Sequence, residues 1–272
     1  MKVVANSIPK SGTNLLARLL ALLGFEQTPE GGIRSYLVAG PFSPVKKLLR
    51  ARSPEKVTIG VVSPQRIDRR WLERRLSRVP DGCFVTAHCV YSPGLASLFA
   101  ENQMCAVCIL RDPRDVAVSQ MHHIKRRKEH FAHEALLRLP SDHERLLLSI
   151  RGGELGGRRL QSLDERYRQF QGWQDDDNAM VVKFEDLVGT KGGGSAEAQR
   201  LAVERVARHL GVEVEEATMG AIEEGLFGVG RTFRKGQIGG WREEFSAEHE
   251  RAVKEVLGPL LVELGYEAGP NW

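Results

Sequence analysis

Short apolar runs alternate with helix-patterned segments along almost the whole chain, and this alternation restricts the fold more than any other feature. The strand candidates are "KVVANSIP" (2–9), "VTIGVV" (57–62), "CFVTAH" (83–88), "CAVCILR" (105–111) and "AMVVKF" (179–184). Between and after them lie "GTNLLARLLALLGF" (12–25), apolar nearly all round and so expected to be buried, "RDPRDVAVSQMHHI" (111–124), "EAQRLAVERVARHLG" (197–211) and "EHERAVKEVLGPLLVELG" (248–265). Strands that alternate with helices predict an α/β protein: three α/β/α layers around a central, mostly parallel sheet. The 272 residues suit one domain, 1–272, with the polar segment at about 120–175 as an insertion over the active face. Glycine-rich "GTKGGGS" (189–195) and "RGGELGG" (151–157) read as flexible surface loops, and the glutamate-rich 213–224 as a surface helix and its approach.

Composition narrows the function classes. A chain 42% hydrophobic and 27% charged reads as a soluble globular protein, and a net charge of +4 is too small to argue for nucleic acid. It suits an anionic ligand held at one place. No run approaches the ~20 apolar residues needed to span a bilayer. The amino-terminal residues lack a signal-peptide pattern, so a cytoplasmic location without membrane insertion is expected. Cys105 and Cys108 have CxxC spacing, but in a strand an odd separation points the two side chains to opposite faces. Core cysteines are therefore expected rather than metal ligands, and no metal is called for.

Two corners of this pattern invite an anion. In "SIPKSGTNLLARLL" a strand feeds a helix through a glycine turn, where unpartnered helix N–H groups and the helix dipole favour negative charge. Lys10 adds a cation, Ser11, Thr13 and Asn14 add short polar side chains, and Gly12 permits close backbone approach. The Walker sequence G-x-x-x-x-G-K-[ST] is absent, and a merely capped helix start reads equally well from this string alone. The second corner is "CILRDPRDVAVS". Asp112 suits an N-cap, Pro113 the first helical position, and Asp115 the acid of a capping box, with Arg111 at the strand end and Ser119 two turns into the helix. Strand ends and helix starts of a parallel sheet share the ligand-binding edge. Two such corners suggest a ligand with two phosphate-like groups.

With these motifs on the page, the chain resembles the sulfotransferases that use 3′-phosphoadenosine-5′-phosphosulfate (PAPS), in particular their cytosolic and bacterial branch. "PKSGTN" is similar to the family's 5′-phosphosulfate loop, and "RDPRDVAVS" to its 3′-phosphate motif. "VVKFEDL" (181–187) is similar to its K-Y-E-D-L strand motif, and "FRKGQIGGWREEF" (233–245) to its R-K-G-x-x-G-D-W segment. All four occur in family order.

The resemblance implies a P-loop NTPase-like sulfotransferase fold. It implies Lys10, Ser11, Gly12, Thr13 and Asn14 on the 5′-phosphosulfate, and Arg111 and Ser119 on the 3′-phosphate, joined by Arg234, Lys235 and Gly236. Phe184 and Phe227 become candidates for the adenine surroundings. His88, at a strand end between the two phosphate motifs, becomes the general base, a task for which imidazole has a suitable pKa.

The implied reaction is in-line transfer of a sulfuryl group from PAPS to a hydroxyl, less readily an amine, of a small molecule, releasing 3′-phosphoadenosine-5′-phosphate (PAP). Lys10 would neutralise charge on the bridging oxygen, and no metal is required. The chain departs from the family pattern at Thr86, where a lysine is frequent, at Leu15, where an aromatic is frequent, at Phe184, which replaces a tyrosine and loses its hydroxyl hydrogen bond, and at Gly240, where G-D-W has aspartate. A P-loop kinase using ATP and a decayed nucleotide-binding module remain as competing readings.

Two basic stretches admit two readings each. "RIDRRWLERRLSRV" (66–79) reads as a helix with Ile67, Trp71, Leu72 and Leu76 on one face, either a solvated surface helix or a docking face for an acidic partner. "HHIKRRKEH" (122–130) invites the same choice, and neither has the interleaved aromatics that single-stranded nucleic acid needs.

Overall fold

The structure is a computed structural model that describes residues 1–29, 32–33, 55–62, 64–155, 157–228, 236–269 and 271–272. These residues divide into two compact units: Met1–Leu110 with Gln169–Gly236, and Arg111–Arg168 with Gln237–Trp272.

The first unit carries, in chain order, β1 (Lys2–Ser7), α1 (Thr13–Leu22), β2 (Glu26–Gln27), β3 (Lys56–Ile59), β4 (Gln65–Asp68), α2 (Arg69–Leu76), β5 (Cys83–Ala87), α3 (Pro93–Glu101) and β6 (Met104–Leu110). The second unit holds α4 (Pro113–Arg126), α5 (His133–Leu137), α6 (Asp142–Arg151), β7 (Gly153–Leu155), β8 (Arg158–Leu160) and most of α7 (Leu163–Gln171). The chain returns to the first unit for β9 (Ala179–Lys183), α8 (Phe184–Leu187), α9 (Ala196–His209) and α10 (Glu216–Gly225), and ends in the second with α11 (Ala247–Glu263).

Five strands form the central sheet in the order β2-β5-β1-β6-β9, and every ladder is parallel. The α/β expectation is met. β1 reads as one apolar run because Val3, Val4 and Ala5 are all fully buried, which requires cover on both faces of the strand. Helices α1, α3 and α9 pack on this sheet.

Several local expectations change. "VTIGVV" does not enter the central sheet: β3 pairs antiparallel with β4, Val57 facing Ile67. The predicted helix at 66–79 begins later for the same reason. Ile67 belongs to β4, and Asp68 caps α2 by accepting from the Trp71 N–H at 3.0 Å. Helix α1 is not buried all round; it buries Leu15, Leu16, Leu19 and Leu20 and turns Asn14, Arg18 and Ala21 outward. Of the glycines in 151–157, Gly152 leads into the β7–β8 hairpin, Gly153 opens β7 and Gly157 lies in the turn before β8, so the segment is not a loose loop. In 189–195 the loop is packed, since a Cβ on Gly192 would press on Val188 and Phe227.

In the second unit α4 packs on α5 and α6, and α6 on α11. Arg166 is fully buried there and donates to the carbonyls of Ser162 and Ser149 and to the Gln120 side chain. Desolvation pushes its pKa down to about 10.

Candidate active site

β1 stops at Ser7, and the Ser11 N–H closes a turn on the Ile8 carbonyl at 3.0 Å. Two residues of this turn have left-handed backbone, Lys10 at φ 78° and Gly12 at φ 113°. Gly12 is the N-cap of α1, and no side chain caps that helix. Glycine is favoured twice over: its φ is one that L side chains rarely adopt, and an added Cβ would stand 2.7 Å from Phe184 Cδ2 and 3.0 Å from Ile109 Cδ1. Ser11 is fully buried, and its hydroxyl has no hydrogen-bond partner. A buried hydroxyl of this kind in an uncapped helix entrance fits an oxyanion that accepts from it.

His88 follows β5. Parallel pairing of Asn6 with Ala87 sets the imidazole beside Ser7. Its Nδ1 lies 2.9 Å from the Ser7 carbonyl oxygen and 3.1 Å from the Ser7 hydroxyl, and that hydroxyl lies 2.6 Å from Thr13 Oγ1. The Asn6 side chain holds the next residue at both main-chain groups: it accepts from the Cys89 N–H at 2.9 Å and donates to the Cys89 carbonyl at 3.1 Å. The Trp173 indole also donates to that carbonyl, at 3.1 Å. Thr86 is buried in β5, so position 86 supplies no cation beside the histidine.

The other sequence-predicted residues are placed as follows. Phe184 opens α8 with its ring over Gly12, and Phe227 borders Gly192. In the second unit Arg111 Nη2 donates to the Gln237 carbonyl at 2.8 Å and lies 3.3 Å from Asp115 Oδ2. Asp115 does not complete a capping box. Asp112 caps Arg114, whereas Asp115 accepts from the main-chain N–H groups of Gly239 and Trp241 at 3.0 and 2.9 Å. Burial raises the Asp115 pKa, while Arg111 opposes the shift. Ser119 is half-buried in α4. Gly236 has φ 61°, while Arg234 and Lys235 lie outside the described residues.

Among the described residues no group of three or more His, Cys, Asp or Glu stands ready to hold a metal. Cys105 and Cys108 are free thiols, and burial raises both pKa values. In the 122–130 stretch, His122 pairs with Glu244 and Lys125 with Asp142. Sequence reasoning missed Asn6, Ser7 and Trp173. The one signal for the first two is a polar pair closing an otherwise apolar strand.

A parallel five-strand α/β sheet with flanking helices, a glycine turn after its first strand and a histidine at the end of the neighbouring strand, is the frame on which these residues stand. A family model described as the sulfotransferase domain matches residues 2–226, and the chain belongs to that family. The matched span stops short of the 233–245 segment. A solved structure of the mouse sulfotransferase SULT7A1 complexed with PAP aligns at TM-score 0.59 and 18% identity, covering 96% of this chain and 84% of that one. Retinol dehydratase in complex with androsterone and inactive cofactor PAP aligns at 0.58 and 19%, covering 94% and 80%. The same enzyme with retinol and PAP gives 0.57 and 20%, covering 94% and 81%. At these identities the likeness is one of fold. No curated protein matches the chain.

Proposed function

We propose that this protein transfers a sulfuryl group from PAPS to the hydroxyl of a small molecule, with His88 as general base and PAP as product. The observation that carries this reading is the meeting of His88, Ser7 and Thr13 at the mouth of the uncapped glycine turn. Membership of the sulfotransferase domain family and the PAP held by the similar structures support the donor. Retinol and androsterone in two of those structures support a small-molecule acceptor.

The donor supplies the sulfuryl group and takes the displaced electron pair on its phosphate oxygen. The rest falls to the protein. Lys10, Ser11, Gly12, Thr13 and Asn14 bind the 5′ end, with Lys10 supplying positive charge where negative charge grows. Arg111 and Ser119, with Arg234, Lys235 and Gly236, bind the 3′-phosphate. Arg111 suits the task because a guanidinium presents five donors in a fixed fork. Phe184 and Phe227 serve the adenine side. His88 removes the acceptor's hydroxyl proton at Nε2. No metal takes part. We assign the whole chain to one sulfotransferase domain, acceptor recognition in part to 120–175, and the protein to the cytoplasm, where four unpaired cysteines are at home.

The test is thermal stabilisation by PAP, ADP and ATP, each with and without magnesium. A ligand at about 100 times its dissociation constant adds ~2.7 kcal/mol. Stabilisation by PAP without metal, and none by ADP, is expected. Stabilisation by ATP with magnesium alone would make the turn a kinase site. His88→Ala should retain PAP stabilisation and lose sulfuryl transfer.

A further inference from the structure

Ser7 belongs to none of the phosphate-binding motifs, yet it touches both the proposed base and the proposed donor loop. A carbonyl oxygen only accepts, so the 2.9 Å contact between His88 Nδ1 and the Ser7 carbonyl places the imidazole proton on Nδ1. The lone pair of the neutral ring then lies on Nε2, the form a general base requires. With its proton in place Nδ1 cannot accept. The Ser7 hydroxyl at 3.1 Å is therefore a second acceptor for the same N–H. Its own proton is left free to turn to Thr13 Oγ1, 2.6 Å away, or the oxygen can take a second bond from Thr13.

Thr13 is the first residue of α1, at the anion turn. A hydroxyl that donates to an anion must accept from its other neighbour. Anion binding at Thr13 thus fixes the direction of the whole chain: His88 to Ser7, Ser7 to Thr13, Thr13 to the anion. Without an anion, the Ser7–Thr13 bond can run either way. Asn6 holds the main chain of Cys89 from both sides, so the ring's attachment has little freedom.

We propose that Ser7 is a positioning residue that sets the tautomer of His88 through its carbonyl and couples occupancy of the donor loop to the histidine through its hydroxyl. The coupling rests on the sulfotransferase reading; the tautomer does not.

The test uses the full chain labelled with nitrogen-15 in histidine, with His88→Gln to assign the His88 ring signals. In the wild type the neutral ring should carry its proton on Nδ1. Saturating PAP should move both ring-nitrogen signals of His88 in the wild type and in Ser7→Thr, which keeps the hydroxyl. In Ser7→Ala, PAP should still raise the melting temperature but leave the His88 signals in place. A proton on Nε2 in the wild type overturns the proposal, as does a full PAP response in Ser7→Ala. Failure of PAP to bind the wild type overturns the donor reading instead, and the tautomer without nucleotide then decides the role of Ser7.

Discussion

The ring of Phe184 lies where a side chain on Gly12 would have to go: a Cβ there would stand 2.7 Å from Phe184 Cδ2. The entrance to α1 is thus shaped by a residue more than 170 positions further on. Gly12→Ala meets two obstacles, the ring and a backbone φ of 113°. It should lower stability by ~2 kcal/mol or more and abolish stabilisation by PAP. Adding Phe184→Ala removes the clash but not the backbone strain. The double variant should recover part of the stability lost to the clash in a denaturant titration, and full recovery would show that φ costs nothing here.

In the second unit, Arg114 is 2% exposed and sits in the corner formed by two nearly perpendicular indoles, its Cζ 4.4 Å from the Trp241 ring and 4.6 Å from the Trp272 ring. It also bonds Asp112 at 2.7 Å and Glu267 at 2.5 Å. Removing one partner from such a buried pair strands the others, at a cost of ~3 kcal/mol or more. Arg114→Ala should show that loss by chemical denaturation. Arg114→Lys should recover little, because an ammonium cannot reproduce the planar fork that meets both carboxylates.

How legible this was in the sequence differs by element. β1, β5 and β6 were readable because strands covered on both faces appear as apolar runs, and β9, at the sheet edge with only Val182 buried, was readable from its apolar, β-branched composition. β3 misled for the same reason: Val57 and Ile59 are buried in a hairpin instead, and no local signal separates the two fates. The glycine turn was singled out by residue type at a strand end, and His88 by the family resemblance together with its position at another strand end. Ser7 was not found, because a serine at a strand end carries no spacing signal. Only the parallel register, Asn6 opposite Ala87, brings it to the histidine.

His130 makes stability depend on pH in a definite direction. Desolvation, with His133 nearby, holds its pKa down to about 4, and the Ala132 N–H donates to its Nδ1 at 3.2 Å. The Phe131 ring stacks on it at 4.8 Å, and the His123 ring lies 6.1 Å away. The folded pKa is below the unfolded value of ~6.5, so the unfolded chain takes up the proton first. This contribution is complete above about pH 6.5 and is lost as pH falls towards 4, by at most ~1.4 kcal/mol per unit and less where water screens the ring. His209 and His249 are shifted in the same direction. Subtracting the stability profile of His130→Gln from that of the wild type should isolate the His130 share, and parallel profiles would refute it.

Lys10 sets stability against function within one residue. Its φ of 78° is a conformation that costs a non-glycine residue ~1 kcal/mol or more. Lys10→Ala and Lys10→Gly both remove the charged side chain and differ only by the Cβ. The glycine variant should therefore be the more stable of the two by ~1 kcal/mol in urea. Both should bind PAP more weakly than the wild type, and by similar factors, because the lost ammonium is common to them. Equal stability of the two variants would mean that the backbone at this turn relaxes without its side chain. Unequal PAP affinity would mean that the left-handed backbone at Lys10, as well as its charge, shapes the anion site.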